Sequence, residues 1–235
     1  MREFLYLVLM QMKTFKASIV SGIFFSLVLP IGLLTILKPI TSSDFSFYAI
    51  SGTLTFYLFL GTMLAVSQII GLERRDGKFS LMIASGIPKE LYMMSILFSN
   101  GFGTLIFIPI LILVADFLYG VSPSNVISLV ISLVLSIYVG SIMGTDLAFS
   151  TRNYYTINSL SQVISFGLIF FAPVYYPVTA VPIPLRYFTY LEPTTYISQS
   201  IYHSYVGGNS IFYLMGLLIY GVVLTMFGRL LERRT

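Results

Sequence analysis

Six stretches of at least 21 residues contain no Asp, Glu, Lys or Arg: 17–37, 45–72, 91–115, 117–145, 153–185 and 193–228. A helix that crosses a bilayer needs about 20 predominantly apolar residues, so each stretch can hold one. The expected fold is an all-α membrane protein, one transmembrane domain over residues 1–235. Its six spans are expected near 17–37, 47–71, 92–118, 125–147, 156–174 and 209–228. The last two stretches exceed what one span uses, and their excess carries Pro and Gly. Only 9% of the 235 residues are charged and 57% are apolar, with a mean hydropathy of +0.90. A soluble domain carries about 25% charged residues, and disordered chains are polar and aromatic-poor. Both classes are excluded.

The placement of the charges gives an orientation. With the N-terminus inside, Arg2, Lys13, Lys16, Arg74, Arg75, Lys78, Lys89, Arg152, Arg229, Arg233 and Arg234 fall on the cytoplasmic side. Only Lys38 and Arg186 fall outside. Short loops rich in Lys and Arg stay in the cytoplasm, so both termini are expected there and the chain is expected to cross the cell membrane several times. The net charge of +4 then reflects topology and contact with anionic lipid, with no need of nucleic acid. There is no cysteine, hence no disulfide or thiolate metal site. The run Phe4–Met10 is too short, and too soon followed by Lys13 and Lys16, to read as a signal peptide.

Residues 1–16 read as an interfacial helix. Phe4, Leu5, Val8, Met12 and Phe15 share one face at 100° per residue, with Arg2, Glu3, Tyr6, Lys13 and Thr14 opposite. The loop 73–90 holds a second short helix, over about 77–85. Asp76 can serve as its N-cap, Gly86 as its stop, and Pro88 prevents continuation. Phe79, Met82, Ile83 and Gly86 fall on one face. An apolar face on so short a helix suits docking into a partner's groove and equally suits resting on the headgroup layer.

Residues 175–208 form the other unusual segment. Five of the ten prolines fall between residues 172 and 196 (Pro173, Pro177, Pro182, Pro184 and Pro193). That density forbids one continuous helix, while the segment stays almost as apolar as a span. Irregular backbone at membrane depth is tolerated where protein covers it. An outer hairpin of re-entrant or interfacial helices is expected, forming a lid or a cap.

Catalytic chemistry is sparse. Gly71 precedes Gly77-Lys78 by five intervening residues where a phosphate-binding loop has four, and Phe79 replaces its Ser/Thr. His203 is the sole histidine, so no metal site is expected. Asn100, Asp116 and Asp146 are the candidate intramembrane polar groups. A helix–helix contact suits Asn100, and the two acids lie near interfaces. A carrier coupled to protons or sodium would use Asp116 or Asp146. Gly140-Ser141-Ile142-Met143-Gly144 offers a small-residue surface for close helix packing.

An amphipathic N-terminal helix, six spans, an inner loop helix after span two and a Pro-rich outer hairpin together resemble the ABC-2 type permeases, the membrane subunits of ATP-binding-cassette exporters. In the loop, Glu73, Gly77, the run Phe79–Ile83 and Pro88 are similar to the family's pattern of an acid, a Gly-led helix and a proline. In the hairpin, Phe171, Tyr176-Pro177, Pro182, Pro184 and Pro193-Thr194-Thr195-Tyr196 resemble its aromatic, its prolines and its Pro-x-x-Tyr group.

The resemblance implies a half-transporter. Two permease chains, identical or different, would enclose the path, and two ABC ATPase subunits would bind ATP and magnesium, leaving this chain without a cofactor. The loop would be the coupling helix, with Phe79, Leu81, Met82 and Ile83 in a groove of the ATPase and Arg74, Arg75 and Asp76 at its rim. The aromatic-rich interior suits a hydrophobic cargo such as a drug, lipid or peptide.

Overall fold

A computed structural model describes residues 2–15, 22–42 and 45–232, and the regular elements among them are all helical. In chain order they are α1 (Arg2–Phe15), α2 (Phe24–Leu37), α3 (Ser46–Arg75), α4 (Lys78–Ala84) and α5 (Lys89–Tyr119). There follow α6 (Val126–Ser150), α7 (Tyr154–Phe171), α8 (Ile183–Thr189), α9 (Pro193–Val206) and α10 (Ile211–Glu232). Four of these are long and apolar enough to cross a membrane: α3, α5, α6 and α10 up to Arg229. The first expected span begins outside the described residues, and its described part, α2, has 14 residues. Helix α7 has 18 residues, about 27 Å. It is more polar than a lipid-facing span because Asn158 turns toward α3, where its Oδ1 accepts a 2.7 Å bond from Gln68 Nε2.

Helix α3 is the axis of the molecule, buried along most of its length. Its middle, Leu60–Leu64, widens into a π turn, which frees a carbonyl where no water can reach it. The neighbouring helix supplies the donor. Asn100 Nδ2 donates to the Gly61 carbonyl at 2.8 Å, with Thr104 Oγ1 at 3.3 Å. Asn100 is therefore a helix–helix contact. The opposite flank receives α6 at its small-residue surface. A Cβ on Gly144 would stand 2.5 Å from the Met63 carbonyl oxygen, too close for any side chain. The surface is thus used inside the chain.

The proline-rich segment becomes a sequence of helix starts. Pro177 precedes a 3-10 turn at Val178–Ala180, Pro182 and Pro184 open α8, and Pro193 is the first residue of α9. A proline lacks only an N–H that the first turn leaves unpaired anyway. Pro173 follows the end of α7 at Phe171, three residues before the expected limit of that span. Helix α9, about 21 Å long, is buried on nearly every side among α3, α6 and α10. It is too short to cross and too enclosed to be a surface cap.

Candidate coupling site

The ends of α3, α6 and α1 and the starts of α5 and α7 gather at one end of the bundle with α4, and this end carries Arg74, Arg75, Lys78 and Lys89. Helix α3 runs on to Arg75, so Glu73, Arg74 and Arg75 are helical and not loop. The break is two residues wide. Gly77 takes a left-handed conformation at φ 74°, which permits the sharp reversal into α4. Gly77, not Asp76, occupies the N-cap position of α4, without a side-chain cap. Asp76 ends α3 instead and pairs with Arg75 at 2.9 Å on the surface. Gly86, at φ 91°, closes the far end of α4. The Gly86 and Ile87 amides donate to the Ile83 and Met82 carbonyls, and Pro88 caps α5.

Glu73 lies inside. Its Oε2 accepts from the Tyr92 hydroxyl at 2.8 Å, and its Oε1 accepts from Gln11 Nε2 at 3.1 Å and pairs with Lys78. Gln11 Nε2 also reaches the Tyr92 oxygen at 3.2 Å. One carboxylate thereby ties α1, α3, α4 and α5 together. A buried acid is costly unless its lone pairs find donors, and here the donors come from three other helices. Arg74 donates to the carbonyls of Ala148, at 2.5 Å, and Thr151 and lies over the Phe149 ring, closing the end of α6. Arg75 lies over Tyr154 at the start of α7.

The apolar residues of α4 divide into two sets. Phe79 is 8% exposed, edge-on to Tyr92 and Phe149, in a cluster with Leu7, Val66, Ile70 and Ile96. Met82 packs against the same cluster. Leu81 is 67% exposed and Ile83 37%. This corrects the expectation that all four would be groove contacts. Phe79 and Met82 fasten α4 to its own bundle, because at helical spacing they share the side facing α5 and α6. Leu81 and Ile83 stay on the open side of α4.

Helix α1 also turns otherwise than expected. It buries Leu7, Val8 and Gln11 against α5, with Phe4 edge-on to Phe98, and leaves Leu5 and Leu9 exposed. The polar Gln11 falls on the buried side because Glu73 is there to receive it.

The remaining candidates are spread out. Asp116 lies near the opposite end of α5, half-buried. Asp146, on α6, packs against Gly228 of α10, where a Cβ would meet its Oδ1. The two acids do not converge on one site. In the hairpin, Tyr196 packs over Gly216 and against Tyr213 and Tyr220, joining α9 to α10. Tyr176 lines a surface cavity. His203 stacks on Tyr213 at 5.2 Å, and burial holds its imidazole below the usual value.

The arrangement is a short helix held rigidly at one end of an apolar bundle with part of its surface left open. A family model of the ABC-2 type transporters matches residues 2–206. The chain belongs to the ABC-2 type transporter family. It is a multi-pass membrane permease, and transport by this family does not make the permease itself a catalyst. Permeases of the family generally work with an ATP-binding subunit and dimerise. No curated protein matches the chain.

Sequence reasoning missed Gln11, Tyr92 and Phe149 in this permease. No local pattern marks them, since Gln11 and Tyr92 stand 62 and 19 residues from Glu73. The one available signal was Glu73 itself, an acid one residue beyond a 28-residue uncharged stretch.

Proposed function

We propose that this permease is the membrane subunit of an exporter in the cell membrane, six spans with both termini in the cytoplasm, driven by ATP hydrolysis in a separate ABC ATPase. Two permease chains and two ATPase subunits make the working unit, and a hydrophobic cargo moves outward. The observation that carries this reading is the division of α4: Phe79 and Met82 buried in the bundle, Leu81 and Ile83 exposed at its basic end. A buried anchor with an exposed apolar edge is what a force-transmitting contact needs. The ATPase groove takes Leu81 and Ile83, and Arg75 and Asp76 meet its rim.

Glu73 acts as the positioning residue. Because its carboxylate holds Lys78, Tyr92 and Gln11 together, a displacement of α4 moves α1, α3 and α5 as one body. Family membership favours this reading over an ion-coupled carrier built on Asp116 or Asp146.

The test is ATPase stimulation by the reconstituted permease. Leu81→Asp abolishes stimulation while leaving the permease folded. Full stimulation by that variant contradicts the assignment.

A further inference from the structure

At the end of the bundle opposite α4, a cavity of about 640 Å³ opens between the end of α7, α8 and the start of α9. That volume lies in the range of small-molecule sites, roughly 300–1,000 Å³. Its wall is aromatic, formed by Phe170, Phe171, Tyr176 and Phe188, and its one ionisable carboxyl is Glu192. Among the described residues no Lys, Arg or His lines it.

Glu192 occupies the N-cap position of α9 but makes no capping bond with its side chain. Its Oε2 is buried without a hydrogen-bond partner, and no ion pair within 4.0 Å involves it among the described residues. A carboxylate in that position lacks the compensation buried charges require. Tyr220 of α10 stands near it, donating its hydroxyl to the Leu191 carbonyl at 2.6 Å. Arg186 of α8 lies outside the lining, its guanidinium donating to the carbonyls of Thr179 and Val181 at 2.6 and 3.0 Å.

We infer that this cavity binds a lipophilic organic cation, its charge against Glu192 and its body against the rings. Aromatic faces carry negative potential and attract a cation placed over them, so the rings and the carboxylate favour the same sign of charge. Phe170 and Phe171 are about three-quarters exposed, which opens the cavity to a ligand already dissolved in the outer part of the bilayer. That the ligand is cargo at its exit side rests on the export reading above. That the cavity binds it does not.

Burial pushes the Glu192 carboxyl up to about 7. The ionised form attracts the cation, so affinity rises as pH rises through that value. From pH 6 to pH 8 the ionised fraction, and with it the affinity, grows about ten-fold for a group titrating near 7.

The test uses the full chain alone in nanodiscs of phosphatidylglycerol, whose headgroup has no ammonium. The chain contains no tryptophan, so Phe188→Trp makes a unique fluorescent reporter in the wall. Tetraphenylphosphonium is titrated in, with tetraphenylborate as the anion of matched shape. The cation binds, the borate does not, and Glu192→Gln on the reporter background weakens binding about ten-fold and removes its pH dependence. The Gln variant retains its helical signal and melting temperature. A second variant, Phe171→Ala, keeps the carboxylate, and its loss of a ring weakens binding several-fold. Equal binding of the cation by the parent and Gln variants, or equal binding of borate, overturns the inference. So does displacement of the cation by added phosphatidylethanolamine, which would make the occupant a lipid headgroup. No ATPase is present, so failure here leaves the coupling reading standing, and failure of the coupling test leaves the cavity standing.

Discussion

Glu73 and Phe79 act through the permease's own fold, whereas Leu81 and Ile83 face outward, and substitutions separate the two roles. Phe79→Ala removes a buried ring between Tyr92 and Phe149 and should cost about 3–5 kcal/mol, read as a lowered melting temperature by circular dichroism. Glu73→Ala strands the Lys78 ammonium and leaves the Tyr92 hydroxyl and Gln11 amide without their acceptor. A loss of about 3–5 kcal/mol follows, and Glu73→Gln, which keeps an acceptor, should recover part of it. Leu81→Asp, on an exposed site, should stay within about 0.5 kcal/mol of the parent. Sequence reasoning found α4 to within a residue at either end, since Gly77, Gly86 and Pro88 are local signals. Which face of α4 turns inward was not legible. It depends on Tyr92 and Phe149, which only the tertiary arrangement brings together.

At the scale of elements, helices meet through features that exchange backbone for side-chain bonds. The π turn at Leu60–Leu64 is satisfied by Asn100, so Asn100→Leu leaves the Gly61 carbonyl without its main donor in the bundle interior. The expected cost is about 1–3 kcal/mol. Gly144→Val pushes α6 off the Met63 carbonyl and should lower the yield of folded permease in the membrane more than a substitution at an exposed position of α6 would, such as Val134→Ala. Both outcomes are measured as monodisperse protein recovered in detergent. The prolines marked the hairpin correctly as broken helix. They did not indicate that α9 lies buried among α3, α6 and α10, because its Thr194, Thr195, Ser198, Ser200 and Ser204 read as polar while most of their hydroxyls bond to nearby carbonyls. Helix α7 shows the converse. Its charge-free sequence read as an ordinary span, yet Asn158 faces Gln68 of α3.

For the whole molecule, the separation of charge agrees with a bundle that has one basic end holding α4 and one aromatic end holding the cavity. The absence of cysteine makes the orientation directly accessible to labelling. A single Lys89→Cys should react with an impermeant maleimide only from the cytoplasm, and Arg186→Cys only from outside. The reverse pattern would place α4 on the wrong side for an ATPase. The account as a whole turns on whether the exposed edge of α4 receives a nucleotide-binding subunit. The most direct measurement is site-specific cross-linking in native membranes from Leu81→Cys, with the adduct identified by mass spectrometry. The account predicts an adduct with a P-loop ATPase from Leu81→Cys and none from Arg186→Cys. A folded Leu81→Cys permease that yields no such adduct, or yields it equally from Arg186→Cys, would contradict it.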